Sequence, residues 1–139
     1  MNHQGPVARV AGISHVGISV SDLGAARHFY VDVMGLTELR RPDFGVPGAW
    51  FRAGDLQLHV LEVPEVAPVG PGLPHLALHV ATDDLASTVE ALVAGGAGLL
   101  APPSTRDDFG VAVTAAFVTD PDGNVIELTD VGPLTAEPT

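Results

Sequence analysis

The stretch Ile13-Ser14-His15-Val16-Gly17-Ile18-Ser19-Val20-Ser21-Asp22-Leu23 has an echo later in the chain, Pro74-His75-Leu76-Ala77-Leu78-His79-Val80 followed by Asp83-Asp84-Leu85. Each opens as a strand whose first polar residue is histidine, passes an acidic helix start, and runs into a helical pattern and further strands. Repetition of this kind is read before anything else, because it sets the architecture. Between the copies lies Val63-Pro64-Glu65-Val66-Ala67-Pro68-Val69-Gly70-Pro71-Gly72-Leu73-Pro74, whose prolines and glycines mark a connector. The expected organisation is a first strand–helix–strands module over 10–63, a linker over 64–74, a second module over 75–131 and a flexible tail over 132–139.

The helical runs fit this plan. Ser21 or Asp22 is placed to cap the first helix, and Leu23, Ala26, Tyr30 and Val33 make one apolar stripe ended by Gly35. In the second copy Thr82 or Asp83 is the expected cap, Leu85, Val89, Leu92 and Val93 the stripe, and Gly95-Gly96 the stop. Both stripes read as core-packing faces.

The strands say more. Side chains alternate along a strand, so Val16, Ile18 and Val20 share one face while His15, Gly17 and Ser19 share the other. In Leu56–Leu61 the apolar row Leu56, Leu58, Val60 opposes Gln57, His59, Leu61. Leu76, Leu78 and Val80 oppose His75, Ala77 and His79. After the tight turn expected at Asp120-Pro121-Asp122-Gly123, Asn124, Ile126 and Leu128 alternate with Val125, Glu127 and Thr129. Water-facing rows ordinarily carry Lys, Glu, Thr, Arg and Gln. These rows instead carry His15, Gln57, His59, His75, His79 and Glu127, with small residues beside them. Imidazole and carboxylate groups on a face with room in it suit a divalent metal: iron, zinc, nickel, cobalt or manganese. A lone histidine is more often a solvated or hydrogen-bonded residue. Recurrence at matching positions in both copies favours a shared site.

The chain has 139 residues, 46% of them hydrophobic, enough for a core without outside help. It contains no cysteine, which excludes disulfide scaffolds, thiolate zinc sites and cysteine nucleophiles. Seventeen acidic against six basic residues give a net charge of −11. That argues against nucleic-acid binding and against a polybasic membrane anchor. No apolar run has spanning length, and Met1–Pro6 lacks the features of a signal peptide, so a soluble cytoplasmic protein is expected.

The sequence resembles the vicinal oxygen chelate superfamily, the glyoxalase/bleomycin-resistance/dioxygenase group. The resemblance covers roughly Val10 to Asp130. Its carriers are His15–Leu23, Phe29-Tyr30, Met34-Gly35-Leu36, His75–Val80 and, most diagnostic, Phe117-Val118-Thr119-Asp120-Pro121-Asp122-Gly123-Asn124-Val125-Ile126-Glu127-Leu128. It implies an α+β fold of two βαβββ modules forming a cup-shaped mixed sheet around a metal, with ligands from the first and last strands of each module. By position His15, His75 and Glu127 take three ligand sites. The fourth falls in Leu56–Leu61, where glyoxalase I has glutamate and this chain offers Gln57 or His59, of which His59 is the stronger ligand. Glu62 lies on the opposite parity.

The implied activity is a metal-dependent glyoxalase-like lyase or isomerase acting on a small molecule chelated through adjacent oxygens. Glu127 and His79 are the candidate catalytic groups. The alternatives are an extradiol-type ring-cleaving dioxygenase and a metal-free antibiotic-binding resistance protein, the latter having no need of His15, His75 and Glu127. A homodimer is implied, with the site completed within one chain or between two. Trp50, Phe51, Phe109 and Phe117 are expected in the core, Arg52, Arg106 and His28 on the surface, and His3 in a mobile terminus.

Overall fold

A computed structural model describes residues 9, 13–67, 74–107 and 112–131. Most of the expected linker (68–73), the tail 132–139, Phe109 and His3 lie outside the described residues. The first half comprises β1 (His15–Val20), α1 (Leu23–Arg27) running on as a π-helical segment (His28–Val33), β2 (Thr37–Leu39), β3 (Gly48–Ala53) and β4 (Leu56–Glu62). The second comprises β5 (Leu76–His79), α2 (Thr82–Ala94), β6 (Gly98–Arg106), β7 (Val113–Thr119) and β8 (Val125–Thr129). One sheet has the order β1-β4-β3-β2 and the other β5-β8-β7-β6, so the two halves share one topology. In each, the first strand pairs parallel with the last and the remaining pairs are antiparallel. The α+β architecture of two βαβββ units is thus the one that the resemblance implies.

Period-two alternation places the core. Val20, Phe51, Leu58 and Val60 are buried beneath the first helix with Ala26, Phe29 and Tyr30. Leu85, Val89 and Leu92 of α2 are buried in the same core as Ala116, Val118, Ile126 and Leu128 of the second sheet. Each large apolar side chain fully withdrawn from water contributes about 1.5–3 kcal/mol. The two halves share one continuous hydrophobic cluster.

The helix ends test the expected caps. Asp22 caps α1, its Oδ1 accepting from the Ala25 amide at 3.0 Å. Ser21 turns away and donates to Asp122. Glu62, on the opposite parity from the ligand row, accepts from the Leu23 amide at 2.8 Å. Neither Thr82 nor Asp83 caps α2: the N-cap is Ala81, without a side-chain hydrogen bond, because the Thr82 hydroxyl donates to Asp130 at 2.9 Å. Val93 also departs from its stripe. It lies about 80° round the helix from Leu85 at 3.6 residues per turn, and is 39% exposed. The π-helical turn is not foreseen by the sequence pattern. There the Met34 amide donates to Phe29 O at 2.8 Å, and the wider coil buries the adjacent residues Phe29 and Tyr30 together.

The Asp-Pro-Asp-Gly turn joins the halves. Gly123 has φ +85°, and its amide donates to Asp120 O at 3.0 Å. Asp120, only 4% exposed, accepts from the amides of Asp122 and Asn124 at 2.9 and 2.8 Å. Its other oxygen accepts from Asn124 Nδ2 at 2.9 Å and from Tyr30 Oη at 2.8 Å. Burial, with Asp120 beside it, pushes the Tyr30 phenol far up, so it stays a donor. Asn124 Nδ2 also donates to Ser19 O on β1 at 2.9 Å.

Candidate metal centre

Register decides which donors meet. In the first sheet Gly17 stands opposite His59, so His15, two residues back on β1, lies diagonally across from His59 on β4. In the second sheet Ala77 stands opposite Glu127, which puts His75, immediately before β5, on the same diagonal from Glu127 on β8. Each half therefore presents a histidine and one diagonal donor, with a small residue between them. Nothing lies within 4 Å of a Cβ built at Gly17, so the space beside His59 is open.

The diagonals are close enough for contact. The His15 and His59 rings stack at 4.0 Å between centroids, 16° apart. His75 Nε2 is 3.0 Å from Glu127 Oε1, with side chains 26% and 20% exposed. Ser14 Oγ is 2.7 Å from His15 Nδ1, which engages one ring nitrogen and leaves Nε2 open. Gln57 Oε1 is 3.0 Å from His59 Nε2. With the hydrogen on Nε2, the His59 Nδ1 lone pair is free. Burial, then the neighbouring His15 and Arg41, hold the His59 imidazole below its ordinary 6.5, so it is neutral at pH 7.

Imidazoles, a carboxylate and no lysine anywhere in the chain make a donor set that fits a divalent cation. Engagement of the second ring nitrogen by Ser14 or Gln57 is the support that metal-bound histidines normally receive. Among the described residues, however, no three His, Asp or Glu side chains gather into one group able to hold a metal. His15 and His59 form one pair on the first sheet, and His75 and Glu127 another on the second. His79 stands opposite Thr129, exposed, on the same row as His75. The Thr114 amide, then the Thr82 hydroxyl, hold the Asp130 carboxyl below its ordinary value, with His79 nearby adding to them.

The aromatic residues correct an expectation. Phe51 is fully buried, but Trp50 and Phe117 are only partly buried and face the donors. Trp50 stands opposite His59 and stacks on it at 4.3 Å; Phe117 stands opposite Glu127 and meets His75 edge-on at 5.7 Å. Each half thus repeats an aromatic beside its last-strand donor. Strand parity was the available signal, since Trp50 and Phe51 must point to opposite faces. Arg52 and Arg106 are exposed as expected, and exposed His28 pairs with Asp32 at 3.1 Å.

Sequence reasoning missed the β2–β3 connection. Arg41 and Phe44 from this loop close a groove of ≈790 Å³ over the first sheet, against His15, Trp50 and His59. The adjacent pair Arg40-Arg41, in a chain with six cations, was the signal.

Two equivalent sheets, each with a histidine at its first strand and a donor on its last, make a duplicated scaffold. The chain belongs to the Glyoxalase/Bleomycin resistance protein/Dioxygenase superfamily, whose family profile matches residues 12–128. It is 32% identical over 133 residues to a probable chloroplastic lactoylglutathione lyase of Arabidopsis thaliana, covering 89% of this chain but only 37% of that protein. It is 31% identical over 125 residues to a probable lactoylglutathione lyase of Synechocystis, covering 82% of this chain and 91% of that protein. The fold matches the fosfomycin resistance protein FosX from Listeria monocytogenes with TM-score 0.75 at 19% identity, over 91% of this chain and 97% of that one. Among the described residues no helix is long and apolar enough to cross a membrane.

Proposed function

We propose that the protein is a divalent-metal-dependent glyoxalase-type enzyme acting on a small molecule chelated through adjacent oxygens. Its ligand set is His15 and His59 of one protomer with His75 and Glu127 of its partner in a homodimer. One observation carries the reading: the two halves hold donor pairs on the same diagonal, and neither pair alone is a metal site. A second copy that brings the complementary pair completes four donors.

When bound, a divalent cation supplies Lewis-acid stabilisation of developing oxyanion charge. The remaining work falls to the chain. Glu127 accepts a substrate proton at its carboxylate and returns it, and His79, on the same row, is the second proton-transfer group. Gln57 and Ser14 orient the histidines, while Trp50 and Phe117 keep water off the donors. Four protein donors favour isomerase or lyase chemistry over ring-cleaving oxygenation, which needs more open positions. The donor set itself has no purpose in a metal-free drug binder.

The test is complementation. Purified protein titrated with nickel, zinc, manganese or anaerobic ferrous iron is expected to take up one ion per chain. His15→Ala/His59→Ala and His75→Ala/Glu127→Ala chains are each expected to bind none while remaining folded. Mixed and reassembled, they regain about a quarter of the sites, because half of the dimers are mixed and one of the two composite sites in each is intact. A mixture that stays metal-free refutes sharing between chains. Parent protein that ignores micromolar metal refutes the metal reading altogether. Assays with a hemithioacetal, a catechol and a methylmalonyl thioester then separate the reactions.

A further inference from the structure

We infer that the groove over the first sheet receives a carboxylate carried on a flat apolar body, with Arg41 as its anion receptor. This rests on reading the donor face as the substrate site and specifies the substrate class.

The chain holds seventeen acidic residues and only six basic ones, all arginine. With carboxylates in such excess, an arginine is expected to find one. Arg27 does, at 3.2 Å from Glu38. Among the described residues Arg40, Arg41 and Arg52 form no ion pair, and all three border the donor-bearing side of the first sheet.

Arg41 occupies a built seat. Its Nη1 donates to Val46 O at 3.0 Å, and its guanidinium carbon lies 5.0 Å from the Phe44 ring centroid. Gly48 makes the seat possible, since a Cβ there would come within 2.9 Å of Cζ and Nη2. Arg41 Nε is buried without an acceptor. Buried donors are seldom left so, and among the described residues nothing fills the place. Nε and Nη2 share one edge of the planar fork, the edge that matches the two oxygens of a carboxylate. Beside it the groove is aromatic: Phe44 lies 6.1 Å from Trp50, which is itself stacked on His59. Its ≈790 Å³ suits a small organic acid.

Trp50 is the chain's one tryptophan, so its emission reports occupancy of this groove directly. The full-length protein is titrated with benzoate, benzamide and phenylphosphonate. Benzoate is expected to change Trp50 emission saturably and to bind about 10–100-fold more tightly than benzamide, the worth of charge-assisted hydrogen bonds to a guanidinium. Arg41→Gln is expected to erase that preference with an unchanged far-ultraviolet spectrum. Gly48→Ala, which keeps the charge but displaces it, is expected to weaken benzoate binding in the same direction. Equal binding of acid and amide, tighter binding of phenylphosphonate, or an Arg41→Gln protein that still prefers benzoate overturns the inference. So does conversion of Arg41→Gln to a monomer, which would assign the guanidinium to a second copy's carboxylate. Metal uptake without acid preference sinks only this inference, and acid preference without metal uptake sinks only the metal reading.

Discussion

Replacing Tyr30 by Phe removes one hydroxyl from the join between the halves. Tyr30 is fully buried and its Oη lies 2.8 Å from Asp120 Oδ2. Asp120 keeps both backbone donors and Asn124 Nδ2, so three of its four hydrogen bonds survive. The loss is therefore that of one bond to a buried charge, about 2 kcal/mol, without stranding the carboxylate. At this chain length that lowers Tm by roughly 7 °C. Thermal and urea melts followed by circular dichroism and by Trp50 emission measure it. Asp120→Asn, which sets an amide NH2 against other donors, is expected to cost more. A Tyr30→Phe shift within about 0.5 kcal/mol, the range of an ordinary surface substitution, would show that the phenol contributes nothing and refute the reasoning.

Three further outcomes follow from the site. His59 is held below its ordinary 6.5, so the folded chain binds fewer protons than the unfolded chain as pH falls through that value. Stability and metal affinity are thus expected to drop on acidification below about 6.5, with a shallower slope in His59→Gln; a urea midpoint that rises toward pH 5.5 would contradict this. Gly48→Ala puts a Cβ 2.6 Å from Val60 O and is expected to cost about 1–3 kcal/mol in denaturant melts. His79→Ala is expected to leave metal stoichiometry unchanged while turnover falls by roughly 10²-fold, and unaltered turnover would reduce His79 to a lining residue.

The fold was legible because strand parity and turn chemistry are local. His15, His59 and Glu127 fall on the rows that alternation assigns, and the Asp120–Gly123 turn forms with Gly123 at positive φ as its composition requires. What misled was inference from residue type alone. Size alone sends Trp50 and Phe117 to the core, although parity sends them to the donor face. Thr82 has a capping side chain but gives it to Asp130, a partner 48 residues away that no local pattern reveals. Arg41 and Phe44 reach the groove from an irregular loop, where periodicity carries no information. The separation of the donors into two pairs depends on how the sheets are set, and no spacing along the chain encodes it.

The contacts at the Asp120–Asn124 turn have a consequence for the connector. Ser21 to Asp122, Tyr30 to Asp120 and Asn124 to Ser19 clasp the halves independently of the covalent chain between Glu65 and Pro74. A protein nicked there should travel as one species on a sizing column. Its two fragments, produced from separate genes, should find each other, which makes this scaffold suitable for a split reporter.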